Sequence, residues 1–481
     1  MLDQLTLDSP ATRATMTAQY NLAVRPGFVD AIASLGIDVI FHRAAGAHLF
    51  FHDDQNVEQR VLDLVGGYGS NLLGHNHPRL ISTARRMLAG HVPMHAQRSI
   101  RPYAAELSRL VNAKLRAETG QDYVYCCFGN GGAEANETAI KHALYERQHL
   151  QDAAREDAVR LSEEQRAHNE HVLGLPLSIV AVADGFHGKS VAALAASHSD
   201  GIKPRILGNW IPTLHLPHGA PDAARRTLDA QTHALWHPTP DGVIRVPYSP
   251  VVALLCEPII GDGGVIEVSS AFLREIRDWT TATRVPLVFD EIQSGAGRTG
   301  TYLASAASGV TADYYTLSKS LSGGVGKVSV CAVASSRFRP TFALVHSSTY
   351  NEDDFSSALA ITALAVCEEE GLYECAVAIG ERYLAGLRGI QARHPRIVAD
   401  VRGRGLMLGV EWTAAAAAAL PGRHLAQQIE SYLFTQHRVR VGTAISSPRI
   451  TRLAPPAVID DSDIDDSLDA LEDVCGWLER A

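Results

Sequence analysis

An apolar run that stops on two acids, followed by a lysine in a glycine-rich turn, concentrates the chemistry of this 481-residue chain. Val285, Leu287, Val288 and Phe289 have the continuous apolar character of a buried parallel strand, and the run ends at Asp290-Glu291. Ligands of open α/β sheets lie outside the carboxyl ends of the strands, so an acid there marks a site. Lys319 follows between Leu317-Ser318 and the stretch Ser320 to Gly324. An acid or a lysine alone in a loop is ordinary; the two together suit pyridoxal phosphate (PLP). Its aldehyde needs an amine to hold it as a Schiff base, and its ring nitrogen needs a carboxylate to stay protonated. Asp290 raises the pKa of the ring nitrogen by opposite charge, and desolvation with neighbouring cations lowers that of Lys319.

The elements that must position this pair can be read around it. Tyr123 to Phe128 is a strand that runs into G-N-G-G-A-E-A-N-E-T-A-I-K, a glycine-rich turn and a helix start. Free N–H groups and the positive dipole end form a phosphate cradle there. Gly129, Gly131 and Gly132 lack the third glycine of a dinucleotide fingerprint, which speaks against NAD. Leu177 to Ala183 is a second buried strand, leading to D-G-F-H-G-K-S, and Val251 to Cys256 is a third, ending in Glu257-Pro258 and I-I-G-D-G-G. Lys327 opens the strand Val328 to Ala334 and lacks the L-S that precedes Lys319, so Lys319 is the lysine assigned to the cofactor. His187 reads as structural. No carboxylate or cysteine near His75 and His77 completes a ligand set, and no metal is expected.

D-E-I-Q-S-G-A-G-R-T-G followed by L-S-K-S-L-S-G-G resembles the class III (ornithine/ω-amino acid type) aminotransferases, and the resemblance extends over nearly the whole chain. It implies an α/β PLP-dependent transferase of fold type I, aspartate-aminotransferase-like, with a large mixed-sheet domain and a small α+β domain. It implies ping-pong transfer of an amino group from an amino acid or amine donor to a keto acid or aldehyde acceptor through a Lys319 aldimine, in a homodimer with its sites at the interface. The cofactor contacts it implies are Gly131, Gly132, Ala133, Phe186, Glu257, Asp290, Gln293, Lys319 and Thr349. Phe186 stacks on the ring, Gln293 bonds its phenolic oxygen, and Thr349 reaches the phosphate of the partner's cofactor. Substrate contacts fall on Tyr68, Ser70 and Lys189, and on Asp262 with Arg452 of I-T-R-L-A-P-P. An arginine clamps a carboxylate with two parallel hydrogen bonds, and a nearby acid holds it aside for substrates without one.

The sequence departs from the family pattern in two places. Gly131 stands where relatives have a phosphate-binding hydroxyl, so the amides of Gly132 and Ala133 carry more of that grip. N-E-D-D at 351–354 replaces G-G-N-P, which argues for a divergent branch with a different acceptor.

With 46% hydrophobic residues the chain can bury a large core, and a net charge of −10 gives no reason to expect nucleic acid or an anionic membrane as a partner. No CxxC pair occurs among the 7 cysteines; Cys126 and Cys127 point to opposite faces of a strand, and reduced, cytoplasmic thiols are expected. Neither a leader nor a spanning stretch is read. Residues 1–76 read as an N-terminal segment serving the small domain and the substrate side, 77–345 as the PLP-binding domain and 346–481 as the C-terminal small domain. Tyr145 to Glu170, charged and helical in composition, reads as a solvated insertion or hairpin, Pro212 to Tyr248 as loop-rich, and the last helix as capped by Ser462. Two other outcomes are kept open: decarboxylase, racemase or lyase chemistry on the same scaffold, and a silent PLP-fold binding protein.

Overall fold

The apolar runs of the sequence become one seven-stranded sheet, in the spatial order Tyr123–Gly129, Ser329–Ala334, Tyr314–Leu317, Leu287–Asp290, Val251–Cys256, Ser178–Val182, Thr213–Leu216. The computed structural model describes residues 9–198, 206, 211–420, 424–444 and 446–481, and of 125–127 the backbone alone. Neighbouring strands are parallel, except that Ser329–Ala334 runs antiparallel to both of its partners. The sheet is therefore mixed.

The central strands are buried on both faces, which is why they lack polar alternation. Leu287 and Phe289 face a core built with helices Pro102–Thr119 and Ser270–Thr283, through Leu107, Val111, Phe272 and Ile276. Val288 faces the opposite core, where helix Gly132–Asp157 contributes Ala135, Ala139 and Ile140. Register then sets the site. Phe289 pairs with Cys256 and Asp290 with Thr316, so Glu257, Asp290 and the chain leading to Lys319 leave the sheet at one edge.

Both ends of the chain build the rest. The sheet Phe41–Ala45, His48–His52, Glu58–Asp63 is extended by Val439–Arg440, parallel to its third strand. Val398–Arg404, Met407–Trp412, Ile450–Leu453 and Gly442–Thr443 form a second four-stranded sheet. Helices Leu372–Arg393, Leu425–His437 and Asp461–Arg480 share one core with it, containing Tyr383, Leu408, Ile429, Leu453 and Leu471.

Several expectations are corrected. The stretch read as loop over 212–248 holds helix Pro221–Ala230 and the hairpin His233–Thr239/Gly242–Tyr248. Its turn is Pro240-Asp241, closed by the Thr239–Gly242 pair, and the surrounding His and Pro mask it in the sequence. The 145–170 segment is not a free-standing solvated insertion. Helix Gly132–Asp157 enters it and helix Glu163–Leu173 follows, a helical hairpin as the second reading has it; Arg147 and Gln151 are buried, and Arg147 donates to the carbonyls of Ser249 and Val251 at 2.6 Å each. The last helix has Asp460 rather than Ser462 at its N-cap, with Asp461 and Asp463 in its first turn. The orientation of Cys126 and Cys127 lies outside the described side chains; Cys256, Cys367, Cys375 and Cys475 are free thiols.

Candidate active site

Asp290 is fixed before anything binds to it. Its Oδ2 accepts from Asn136 Nδ2 at 2.7 Å and His187 Nδ1 at 2.8 Å, and its Oδ1 accepts from the Ile292 N–H at 3.1 Å. Asn136, fully buried near the start of its helix, also donates to the His187 carbonyl at 2.8 Å and accepts from Thr316 Oγ1 at 2.8 Å. This cluster joins the Gly-rich helix, the D-G-F-H-G turn and two strands. Burial works against a charged His187 imidazole, but the Asp290 hydrogen bond and the charges of Asp290 and Glu257 outweigh it and raise its pKa.

Glu257 lies beside Asp290, buried, accepting the Phe186 N–H at 2.7 Å and the Gly261 N–H at 3.2 Å. Burial and then the Asp290 charge push its carboxyl up, with His187 and the two amides pulling the other way. Glu291, the second acid of the pair, turns away from the site. Ser294 Oγ and the amides of Ala304 and Ser305 donate to it, so it shapes the chain that follows.

Lys319 opens a short turn, Lys319–Ser322, directly after the strand Tyr314–Leu317. Its φ of 43° lies in the left-handed region, which is unfavourable for a side chain with a Cβ and marks a functional position. Half-buried, its amine has no hydrogen-bond or ion-pair partner among the described residues. Burial drives its pKa down and the nearby Arg452 adds to this, against Glu257, Asp290 and Asp262. All five charged residues thus lie near enough to act on one another. Lys327 is exposed at the start of the neighbouring strand.

On the substrate side, Arg452 Nη2 stands 3.2 Å from Asp262 Oδ1, both side chains buried, while Arg452 Nε donates to the Thr443 carbonyl at 3.0 Å. Its guanidinium lies 5.7 Å from the centre of the Tyr68 ring. Gln293 Nε2 reaches the Tyr68 carbonyl at 3.5 Å, and its carboxamide lies so close over Gly261 that a Cβ there would come 1.9 Å from Oε1. Ser70 Oγ is spent on its own turn, donating to the Gly67 carbonyl.

Arg298, from G-A-G-R-T-G, is buried and donates to the carbonyls of Pro455 and Gly69, while Ser320 Oγ donates to the same Gly69 carbonyl. Its own carbonyl accepts from Leu406 N–H. One side chain therefore ties the Tyr68 turn, the segment after Arg452 and the Lys319 turn.

The candidate phosphate cradle lies where strand Tyr123–Gly129 turns into the next helix. Gly131 caps helix Gly132–Asp157, and a Cβ on it would meet nothing within 4 Å. Gly132 packs on Ile292, and Gly188 packs on Ala133 so closely that an added Cβ would stand 2.7 Å from Ala133 Cβ. An unpartnered amine, a fixed carboxylate and a helix start open to space fit the groups of PLP. Two expected residues are not brought to the pocket within this chain. Thr349 is exposed in the 346–351 segment, where its carbonyl accepts from Gln97 Nε2, and Lys189 is exposed. Asn136 and Arg298 were missed. A polar residue on the buried face of the Ala135–Ala143 helix stretch was the available signal for Asn136; for Arg298, embedded in a turn motif, there was none.

The sequence profile described as Aminotransferase class-III matches residues 32–475. The acetylornithine aminotransferase of Corynebacterium efficiens is 31% identical, with 87% of this chain and 88% of that protein covered. That of Thermosynechococcus vestitus is 29% identical, covering 87% and 89%. The solved ornithine aminotransferase of Toxoplasma gondii superposes with a TM-score of 0.74 at 22% identity, over 100% of this chain and 97% of that one.

Proposed function

Since the chain belongs to the class-III aminotransferases and is a PLP-dependent transaminase of fold type I, we propose that it exchanges amino groups in the pocket that holds Lys319, Asp290, Glu257, Asp262 and Arg452. The observation that carries this is the Lys319 amine, unpartnered and with a lowered pKa, at the same sheet edge as the fixed carboxylate of Asp290. PLP, when bound, supplies an aldehyde and an electron-withdrawing ring that stabilises negative charge on the substrate carbon.

The residues divide the remaining work. Asp290, held by Asn136 and His187, keeps a proton on the ring nitrogen. Lys319 Nζ would hold the aldehyde group and, as an unpartnered amine, could serve as the general base that moves a proton at the donor's carbon. The amides of Gly132 and Ala133 at the helix start take the phosphate. Phe186 presents an apolar ring to the cofactor plane, and Gln293 offers an N–H to the phenolic oxygen. Arg452 clamps a carboxylate where the substrate has one and rests on Asp262 where it has none. Tyr68 borders the substrate.

We assign Thr349 to the phosphate site of a partner subunit in a homodimer. The support is an exposed apolar patch around it: Ile100 is 91% exposed, Leu344 86% and Val345 72%. The chain divides functionally into 1–76, 77–345 and 346–481, a division supported by the separate cores of the two larger parts, with helix Asp354–Glu369 lying across onto the first. No described helix is long and apolar enough to cross a membrane; the buried thiols of Cys256, Cys367 and Cys475 support a cytoplasmic place.

Replacing Lys319 by Ala tests the assignment. Turnover with any amino donor should vanish while the thermal melt and helix signal remain; turnover at the wild-type rate would sink it.

A further inference from the structure

Four guanidinium groups and two carboxylates line a cleft of about 580 Å³ at the edge of the central sheet opposite to Lys319. Asp313, one of the two acids, directly precedes the strand Tyr314–Leu317, whose other end leads into the Lys319 turn. Its Oδ2 accepts the N–H of Leu287, the first residue of the neighbouring parallel strand, at 2.8 Å. Arg277 comes from helix Ser270–Thr283 and Arg284 caps the end of that helix. Glu146 comes from helix Gly132–Asp157, and Arg337 and Arg339 follow the strand Ser329–Ala334.

The charges in this cleft do not balance. Asp313 holds Arg277 Nη1 at 2.9 Å and Arg337 Nε at 2.8 Å, and Glu146 holds Arg337 Nη1 at 3.2 Å. Both acids are thus committed to the same two arginines. Arg284 and Arg339 have no side-chain hydrogen bond or ion pair among the described residues, and Arg339 Nε is buried without a partner. A buried guanidinium N–H left unpaired is costly unless something brings it an acceptor. The two free arginines adjoin the paired ones. Arg337 Nη1 also donates to the Arg284 carbonyl at 3.3 Å. Burial raises the pKa of Glu146, while Arg337 and then Arg339 pull it down, so Arg339 lies within electrostatic reach of the same acid. Burial and then the charges of Arg339 and Arg337 push the neighbouring His142 imidazole down to about 4. This corner of a chain with net charge −10 is locally positive.

We propose that this cleft is a second anion site, which binds a small molecule by a phosphate monoester group held between Arg284 and Arg339. Four guanidiniums against two carboxylates leave two positive charges, which match the nearly double negative charge of such an ester at neutral pH. The planar fork of a guanidinium fits two phosphate oxygens at once. The excess charge is confined to one cleft, and the negative charge of the whole chain opposes a nucleic acid, so a small ester is the ligand class. The cleft and the Lys319 pocket lie at opposite edges of the sheet, so occupancy here is independent of amino transfer.

Glycerol 3-phosphate is a probe that carries the ester and little else. Titration calorimetry on the PLP-loaded enzyme should find one site per chain, with glycerol itself not binding. Arg339→Gln and Arg284→Gln should each weaken the ester about tenfold, the worth of one charge-assisted pair, and Arg339→Lys should retain part of the affinity. Because neither side chain has a partner to lose, the variants should keep the wild-type melt. The visible band of bound PLP should stay unchanged throughout the titration. Failure of the ester to bind, wild-type affinity in either Gln variant, or equal binding of glycerol would each overturn the proposal. A PLP band that bleaches as the ester is added would place the ester in the cofactor's own cradle and overturn it as well. Succinate binding more tightly than the ester would make the ligand a dicarboxylate and reject the phosphate class.

Discussion

Asp290 and Lys319 were legible in the sequence because each breaks a local pattern, an acid ending an apolar strand and a lysine set among serines and glycines. Asn136 was not, because what matters about it is convergence. Its amide bridges Asp290, the His187 carbonyl and Thr316, three segments whose adjacency only the fold provides. Asn136→Ala should leave Asp290 and Thr316 each short of a buried hydrogen bond, at a cost of about 1–3 kcal/mol. Fluorescence titration should find PLP held at least tenfold more weakly; an unchanged affinity would reduce Asn136 to packing. Glu430 gives a residue-scale test of a different kind. Its folded-state pKa of about 7 lies above the ordinary carboxyl value of 4.5, so the native state binds the extra proton between those values. Its contribution to stability therefore falls as pH rises from 4.5 to 7 and stays low above. Glu430→Gln should melt at the wild-type temperature near pH 4.5 and higher than wild type at pH 8, by roughly 2 °C. Identical melting curves at both pH values would contradict the burial of that charge.

Elements were read well where a pattern repeats and poorly where one signal overlays another. The buried strands, the helix ended by Gly120 and the stripe of Ile464, Leu471, Cys475 and Leu478 all follow from periodicity. The hairpin over 233–248 did not, because a prolyl- and histidine-rich stretch obscures its alternation. The glycine-rich turns were visible as turns, yet the sequence does not say which glycine admits a neighbour. Gly261 does: its absent side chain is the space occupied by the Gln293 carboxamide. Gly261→Ala should push Gln293 off the position assigned to it, an overpacking cost of about 1–3 kcal/mol. The expected result is a shifted visible band of the bound cofactor together with reduced turnover. A variant with the wild-type spectrum and rate would show that Gln293 does not touch the cofactor.

At the scale of the whole molecule, the proposed second copy of the chain can be tested at the exposed apolar side chains Ile100, Leu344 and Val345. Val345→Asp should shift sedimentation toward monomer and lower PLP affinity in step, whereas Thr349→Ala should lower PLP affinity without changing the assembly. Full cofactor affinity in a proven monomer would rule out a shared site. Family membership was legible in local motifs, while the exposed place of Thr349, away from Lys319, emerges only from the fold. The Arg298 tie has a consequence for anyone who would alter the enzyme's preferences. Because that one guanidinium spans the carbonyls of Gly69 and Pro455, and Gly69 is also gripped by Ser320, three distant stretches of chain behave as a single heritable module. Transplanting the Tyr68 turn or the Arg452 segment alone from a relative would import a part cut for a different frame; the exchange has to be made as a set.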